Sequence, residues 1–282
     1  MEEYLIEVAD DDEVRQGDLI FHPETSAWGF ILTADCDIAQ GKAGRNYSFV
    51  EVVPATQYLE EAWAPEQIRK LQEKQCRVAA EQIGAVMKRS GLSLEMTPEV
   101  LLDWLKEQPP AMIEAAVNET GKPFDKSLVA KLSALHVTVD TSLAKSSLDR
   151  LCEAKRHLGE DSTRIRQSVK DAFQGERGFP DYFLLPELPG VIGYGYVVML
   201  RAIRSVPVED LFPSELDARI EGRHDAFHRV GRMSDGIRFA ITQKLTFLFS
   251  RIGLPTSYED ACKTAIDLLA ETSILDEPAD EN

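Results

Sequence analysis

The sequence holds two groups of strand-like segments that are separated by a long stretch of helical pattern. The first group lies within residues 1–56, where an apolar run of strand length begins at Phe30. The second group lies within residues 179–256, where a longer run begins at Tyr194. Strands in two groups on either side of helices predict an α+β fold in which one small β-domain carries a large helical insertion.

Residues 57–178 have the apolar periodicity of helices and are predicted to form this insertion. Thr97 followed by Pro98 predicts a helix start, because threonine caps helices and proline fits the first helical position. Gly159 predicts the end of one helix, and Asp161 is placed to cap the next.

The C-terminal part of the chain predicts two further helices. An apolar stripe at helical spacing runs from Ile237 to Ile252 and belongs with the second strand group, residues 179–256. Residues 257–282 are predicted to hold a last helix and an acidic tail, and the composition of residues 275–282 predicts disorder.

The composition narrows the class of protein. The chain has 282 residues and a formal net charge of −17, which disfavours nonspecific binding to nucleic acid because phosphate binding needs clustered Lys and Arg. Its four cysteines form no closely spaced pair, so neither a zinc site nor a disulfide framework is indicated. There is no signal peptide pattern, and no apolar run reaches the about 18–20 residues that are needed to span a bilayer. A cytoplasmic protein away from membranes is therefore expected. No cofactor is expected either.

Several short segments follow one another in an order that is typical of a known fold. They are Gly17-Asp18-Leu19-Ile20, Phe30-Ile31-Leu32-Thr33, Val52-Val53-Pro54-Ala55-Thr56, Pro186-Glu187-Leu188-Pro189-Gly190, the strand at 197–206, and Gly231-Arg232-Met233-Ser234-Asp235. Together they resemble the PemK/MazF-type toxins. The resemblance implies a small SH3-like β-barrel with a C-terminal helix, here interrupted by the helical insertion.

The resemblance also implies a function, namely cleavage of single-stranded RNA by a homodimer without a metal. Thr56 matches the Ser or Thr that follows the third strand in the family. The family's arginine before the second strand is replaced here by Ala27 and Trp28. Because arginine supplies a charge and a rigid fork of donors, this departure favours a non-catalytic protein.

Other residues offer a substitute catalytic group. His22 ends the first strand, and Asp35, Cys36 and Asp37 follow the second. If these strands pair as a hairpin, a histidine, a thiol and two carboxylates near Thr56 form an acid–base or nucleophilic cluster. The alternative, which we favour, is that Cys36 is a small apolar residue and that the aspartates cap turns.

Two further groups of polar residues have candidate roles. Arg229 and Arg232 are candidates for contacting RNA phosphates, against simple ion pairing with nearby carboxylates. His224 and His228 would share a helical face and bind a metal, but no third ligand has a recognisable spacing. A polar surface turn around Asp225 is therefore the expected structure, with no metal site.

Two functions remain from the sequence. The first is a non-catalytic protein-interaction subunit with a toxin-like barrel, which serves a bacterial defence or toxin–antitoxin-like system and binds a protein partner. The alternative is a metal-independent endoribonuclease that cleaves single-stranded RNA through Thr56.

Overall fold

The computed structural model describes residues 4–6, 8–9, 12–92, 95–117, 123–140, 144–174, 181–191, 193, 195–250 and 256–274. The predicted acidic tail, residues 275–282, lies outside the described residues. The described strands are β1 (Leu5–Ile6), β2 (Asp18–His22), β3 (Ala27–Ile31), β4 (Asn46–Pro54), β5 (Tyr182–Leu185), β6 (Tyr196–Pro207), β7 (Leu211–Phe212) and β8 (Phe227–Met233).

These strands form one sheet in the order β1-β8-β2-β3-β4-β6-β5, and the short β7 pairs with β8. Every pairing is antiparallel except that of β7 with β8. Among the described residues no pairing joins β1 to β5, so the sheet is open along its hydrogen-bonded order. The sheet unites strands from both parts of the chain, because β8 lies beside β2.

The longest pairing in the sheet joins β4 to β6. Its register runs from Asn46 opposite Pro207 to Pro54 opposite Tyr196, with an irregularity between Val50 and Val52. The structure shows a single strand of 12 residues, β6.

Helices occupy most of the chain between β4 and β5. The described helices here are α2 (Ala55–Tyr58), which continues through a π-helical turn (Leu59–Trp63), α3 (Ala64–Arg89), α4 (Pro98–Glu107), α5 (Pro110–Val117), α6 (Lys126–Val139), α7 (Ser147–His157) and α8 (Ser162–Gln174). The Thr97 side chain accepts a hydrogen bond from Val100 N, and Asp161 accepts one from Arg164 N at 2.8 Å. Both predicted caps are therefore confirmed, and they place the starts of α4 and α8.

The remaining helices lie outside this insertion. They are α1 (Asp35–Ala39), a 3₁₀ turn (Val208–Asp210), α9 (Glu215–Ile220), α10 (Asp235–Phe249) and α11 (Thr256–Ile274). The predicted stripe of α10 is confirmed over residues 237–248, since Ile241 and Leu248 are buried and Ile237 and Leu245 pack beside them against the sheet. Ile252, the last residue of the predicted stripe, lies outside the described residues. None of the helices in the described part of the chain has the length and apolar character that crossing a membrane requires.

The apolar residues form separate clusters for the sheet and for the helices of the insertion. Phe30, Val50 and Leu200 represent the cluster between the sheet and α10. Ile83, Leu101 and Leu135 represent the cluster among α3, α4 and α6.

An aromatic group joins the helices to the sheet. The ring of Tyr58 on α2 lies 5.0 Å from that of Tyr182 on β5 and 5.7 Å from that of Phe173 on α8. The helices between β4 and β5 are thus fixed to the sheet at their two ends, where the chain leaves it and where it returns.

Candidate functional site

The predicted catalytic cluster is not brought together by the fold. β2 and β3 do pair as a hairpin, but His22 lies opposite Ala27 at its turn. Asp35 follows the other end of β3, where its carboxylate accepts a hydrogen bond from Gln16 N at 2.8 Å. Because antiparallel pairing sets the end of β2 against the start of β3, His22 and Asp35 lie at opposite ends of the hairpin. The expectation that they would meet is wrong.

Thr56 is also remote from the residues after β3. It is exposed in α2, immediately after the last residue of β4. The start of β4 lies near the end of β3, since Leu32 N donates to Ser48 O at 2.8 Å. The strand rises about 3.3 Å per residue, so Ser48 and Pro54 are about 20 Å apart along β4. Thr56 therefore has neither Asp35 nor Asp37 as an acid or base.

The residues of the Asp-Cys-Asp segment have local roles. Asp35 forms an ion pair with Arg238 of α10, which also pairs with Asp235 at 2.9 Å. Cys36 is exposed, and its Sγ lies 3.7 Å from Asp37 Oδ1. Asp35 thereby fastens α10 to the segment that follows β3, which is a structural role. Contrary to the reading that we favoured, Cys36 is not a buried apolar residue.

His22 has a separate environment at the hairpin turn. Its ring lies 4.8 Å from that of Phe227 in an edge-to-face arrangement, and Nδ1 accepts a hydrogen bond from Thr25 N at 3.4 Å. These contacts fit a residue that closes the turn. Neither of these two contacts of His22 is with a nucleophile that the imidazole could activate.

Arg229 and Arg232 are used inside the protein. The Arg229 side chain is 3% exposed, and it donates to the carbonyl oxygens of Ala9 and Asp12, each at 2.7 Å. Arg232 donates to the carbonyl oxygen of Glu13 at 2.9 Å and to the carboxylate of Asp18. These bonds hold the segment before β2 against β8. The buried position of Arg229 contradicts its expected role as a phosphate contact, and Arg232 also directs its donors inward.

Asp18 is the acceptor at the centre of this arrangement. It is completely buried, and Arg15 N donates to its Oδ2 at 2.8 Å. Burial raises the pKa of the Asp18 carboxyl, and the hydrogen bond from Arg232 works in the opposite direction. The two arginines supply the compensation that a buried carboxylate needs.

The histidine group considered as a metal site is divided by the fold. His228 lies on β8 and is buried, with its ring edge-to-face to Phe21 at 5.8 Å, whereas His224 is exposed in a turn. Asp225 faces Arg223 at 3.6 Å. Within the described ranges, no three His, Cys, Asp or Glu residues are grouped so that they could hold a metal ion.

A cavity of about 1020 Å³ lies between β1, β8 and the loop after β5. Tyr4, Glu187, Pro189 and Val230 are among the residues that line it, and the Tyr4 hydroxyl donates to the Glu187 carboxylate. That hydrogen bond raises the pKa of Tyr4, with smaller effects from desolvation and from the charge of Glu187. The pair therefore keeps the phenol protonated near neutral pH and does not prepare it as a nucleophile or base.

The outer side of α10 differs from these polar sites because it presents large apolar side chains to solvent. Phe239 is 58% exposed, and Phe249 is also exposed. A shallow groove of about 480 Å³ follows this side of the helix. It is lined by Phe239, Thr242, Gln243, Thr246, Phe247 and Ser250. α10 is thus apolar on the side that faces the sheet and again on the opposite side.

α11 shows the same property over a longer helix. Of its residues 256–269, every one whose exposure is described is exposed except Cys262, which is half-buried. The exposed side chains include Tyr258 and Ile266, the latter at 62%. A helix that serves the core of its own domain buries an apolar stripe. α10 and α11 therefore each expose apolar side chains, and these two exposed helix sides are called here the C-terminal helical surface.

Comparisons of the chain with protein-family models, with curated proteins and with solved structures gave no match. The geometry and chemistry of the described residues are therefore what a functional inference must use.

The sequence contained a signal for the C-terminal helical surface that we had not used. Phe239, Phe247 and Phe249 are large apolar residues that lie outside the stripe that starts at Ile237. A helix with apolar residues on two sides must bury both or expose one. No comparable local signal indicated the ion pair of Asp18, since its partners are distant in sequence.

Proposed function

We propose that the protein is a non-catalytic protein-interaction subunit that binds another protein through its C-terminal helical surface. The observation that carries this proposal is the exposure of large apolar side chains on α10 and α11, of which Phe239 and Ile266 are examples. Scattered apolar residues are common on protein surfaces, but several large ones exposed on one helix indicate an interaction site. Burial of such side chains against a partner would remove their contact with water.

We also propose that the β-domain is a toxin-like, SH3-like barrel. In support, β2 holds the segment that resembles the family's opening strand, β8 ends in a segment that resembles part of the family's second half, and the two strands are neighbours in the sheet. α10 follows β8 directly and packs on the sheet, as the resemblance implies for the C-terminal helix. This likeness is the basis for a bacterial defence or toxin–antitoxin-like setting.

The placement of the polar residues favours binding over catalysis. Thr56 lacks a described acid–base partner, and Ala27 stands at the start of β3 where the resemblance would require an arginine. The Arg229 guanidinium, a candidate for contacting RNA phosphates, is buried beside Asp18. Of the two family positions considered, the endoribonuclease alternative retains the exposed hydroxyl of Thr56.

The proposal is tested by affinity purification of the full chain from its source cells, followed by identification of bound proteins and binding measurements with the purified partner. The test variant replaces Phe239 and Phe249 with glutamine, which removes apolar surface without changing the charge. The control variant is Met112→Gln, because Met112 is an exposed apolar residue on α5. We expect the first variant to lose the partner and the control to retain it. Equal retention by both variants contradicts the proposal.

The endoribonuclease alternative is tested separately with mixed single-stranded RNA in the absence of added metal. We expect no cleavage by the wild-type protein. Cleavage that disappears in Thr56→Ala, with the fold intact by circular dichroism, would establish the alternative and overturn the non-catalytic reading.

A further inference from the structure

One edge of β6 is covered by a neighbouring strand over only part of its length. β5 pairs with Tyr196–Met199 at the start of β6, and Leu200 N donates to Asp181 O at 3.0 Å. On the opposite edge, β4 follows β6 as far as Pro207. Among the described residues, no strand pairs with residues 201–207 on the side of β5. This open part of the strand is called here the β6 edge.

The hydrogen bonds to β4 show which backbone groups of β6 are already used. Val208 N, just beyond the strand, donates to Arg45 O at 3.0 Å. In an antiparallel pairing, hydrogen-bonded and non-hydrogen-bonded pairs alternate along the strand. Because Val206 and Arg204 follow at alternate positions from Val208, their N–H and C=O groups face β4.

The backbone groups of Ile203 and Ser205 point to the open side instead. Ser205 lies opposite Ser48 of β4, whose carbonyl accepts a hydrogen bond from Leu32 N at 2.8 Å on the far side of β4. No hydrogen-bond partner for the N–H and C=O groups of Ile203 or Ser205 lies within the described part of the chain. Both residues are exposed, Ile203 at 41%. Four backbone groups are therefore available to another chain.

Such an edge is complementary to an extended peptide backbone. A strand with free N–H and C=O groups is a template for a strand from another chain, and main-chain hydrogen bonds then supply affinity. The length of the added strand is bounded at both ends. β5 occupies this side of β6 up to Leu200, and Pro207, which has no N–H, ends the strand. The β6 edge therefore accommodates about six residues, or roughly 20 Å of extended chain.

A second copy of the chain fits the β6 edge poorly. When two copies pair antiparallel, all four backbone groups are bonded only if Ile203 of each copy lies opposite Ser205 of the other. That register places the Arg204 residues of the two copies directly opposite each other, in the closer type of pair. Like charges in this position are destabilising. The occupant that the geometry favours is therefore an extended segment of a different protein.

We propose that the β6 edge binds an extended segment of a partner protein as an added strand. Main-chain hydrogen bonds to Ile203 and Ser205 would hold the segment, and a β-branched or aromatic residue beside Ile203 would cover its exposed side chain. The β6 edge is distinct from the C-terminal helical surface. The inference thus goes beyond the proposed function and does not rest on it.

The inference is tested by amide hydrogen exchange of the full chain, followed by NMR with and without a synthetic peptide. The peptide has about seven residues in which Val and Thr alternate, so it is neutral and favours an extended conformation. The control peptide has the same sequence with methyl groups on the backbone nitrogens of its central residues. These methyl groups remove the donors that strand addition needs.

Two variants separate the backbone of the β6 edge from its side chains. Ser205→Pro removes the N–H that points to the open side, and proline is tolerated at such positions because the pairing with β4 does not use this group. Ser205→Ala is the matched control, since it changes the side chain and keeps the N–H. Circular dichroism and the urea midpoint check that both variants are folded.

We expect the amides of Ile203 and Ser205 to exchange rapidly in the free protein, and those of Arg204 and Val206 to be protected by β4. The unmodified peptide should slow exchange at Ile203 and Ser205 about tenfold when its concentration is ten times the dissociation constant, because only the free protein exchanges. The methylated peptide should have no such effect. Ser205→Ala should respond as the wild type does, and Ser205→Pro should lose the response at Ile203.

Four results would overturn the inference. Protection of Ile203 and Ser205 in the free chain equal to that of Arg204 would show that the edge is not open. No slowing by the unmodified peptide, or equal slowing by both peptides, would exclude strand addition, and this comparison needs no variant to fold. A dimer that Ser205→Pro dissociates in sedimentation velocity would make a second copy the occupant.

Discussion

Arg232 binds Asp18 through two parallel hydrogen bonds across the pairing of β8 with β2. Nε donates to Oδ1 at 2.5 Å and Nη2 donates to Oδ2 at 3.1 Å. Asp18 is completely buried, and Arg229 lies 3.9 Å from the same carboxylate. The pair thus joins β2, which precedes the helical insertion, to β8, which follows it.

Removal of the Asp18 carboxylate should strongly destabilise the fold. In Asp18→Ala, the guanidinium of Arg232 loses its carboxylate in a buried setting, and breaking such a pair costs about 3–5 kcal/mol. We expect a loss of this size in the free energy of unfolding, measured by urea denaturation. Asp103→Ala is the control, because its pair with Lys106 is exposed and worth about 0–1 kcal/mol. Similar losses in the two variants would refute a structural role for the buried pair.

Substitution of Gly29 should be unfavourable because of close packing within the sheet. A Cβ atom at Gly29 would lie 2.5 Å from Phe49 Cδ2, a side chain of the core. Gly29→Ala should therefore lower the free energy of unfolding by about 1–3 kcal/mol, the usual effect of overpacking. Addition of Phe49→Leu should recover part of this loss, since it removes the ring that Cβ would meet. Additive losses in the double variant would contradict the clash as the cause.

Gly236→Ala should have the opposite effect on stability. Gly236 lies in the first turn of α10, and a Cβ atom there meets no heavy atom within 4 Å. Alanine has a higher helix propensity than glycine, so the free energy of unfolding should rise by up to about 1 kcal/mol. A lower urea concentration at the unfolding midpoint of Gly236→Ala would contradict this expectation. It would show that the first turn of α10 requires glycine for a reason other than a steric clash of Cβ.

The features that the sequence predicted correctly are those that depend on residues close together in the chain. The caps at Thr97 and Asp161 and the stripe from Ile237 depend on a few residues each, and all three are confirmed. Local patterns are sufficient there because capping and helical periodicity act within one or two turns.

The candidate site could not be predicted in the same way, because its geometry depends on pairing between distant segments. A hairpin between β2 and β3 was anticipated, but its antiparallel direction separates His22 from Asp35. The ion pair of Asp18 with Arg232 joins residues 214 positions apart. Neither composition nor residue spacing indicates a contact between such distant residues. Arg229 and Arg232 were therefore interpreted as surface groups.

The cysteines should differ sharply in reactivity toward a thiol reagent such as DTNB. Cys36 is exposed, whereas Cys76 is buried and its Sγ donates to Pro98 O at 3.0 Å. Burial raises the pKa of Cys76 to about 11, so the group stays a protonated, unreactive thiol in the folded protein. We expect Cys36 to react in the native protein and Cys76 to react only after unfolding. Loss of one fast-reacting thiol in Cys36→Ser checks the assignment, because the half-buried Cys262 can also react in the native protein. Rapid native labelling of Cys76 would contradict the structure.

His228 should make the stability of the protein depend on pH below about 6.5, the ordinary pKa of the imidazole. Its burial lowers the pKa in the folded state, with Glu215 opposing the shift and Arg219 and His22 contributing to it. The unfolded chain therefore binds a proton more readily than the folded one. The resulting contribution to stability is complete above the unfolded pKa and is lost as the pH falls toward the folded pKa.

His228→Gln separates this effect from the titration of the carboxylates. Glutamine is neutral throughout, so the variant should lose less stability than the wild type between about pH 6.5 and pH 5. Urea denaturation of both proteins at several pH values measures the difference. If the two proteins lose stability in parallel over this range, the buried imidazole does not control it, and the folded pKa of His228 is not lowered as its burial requires.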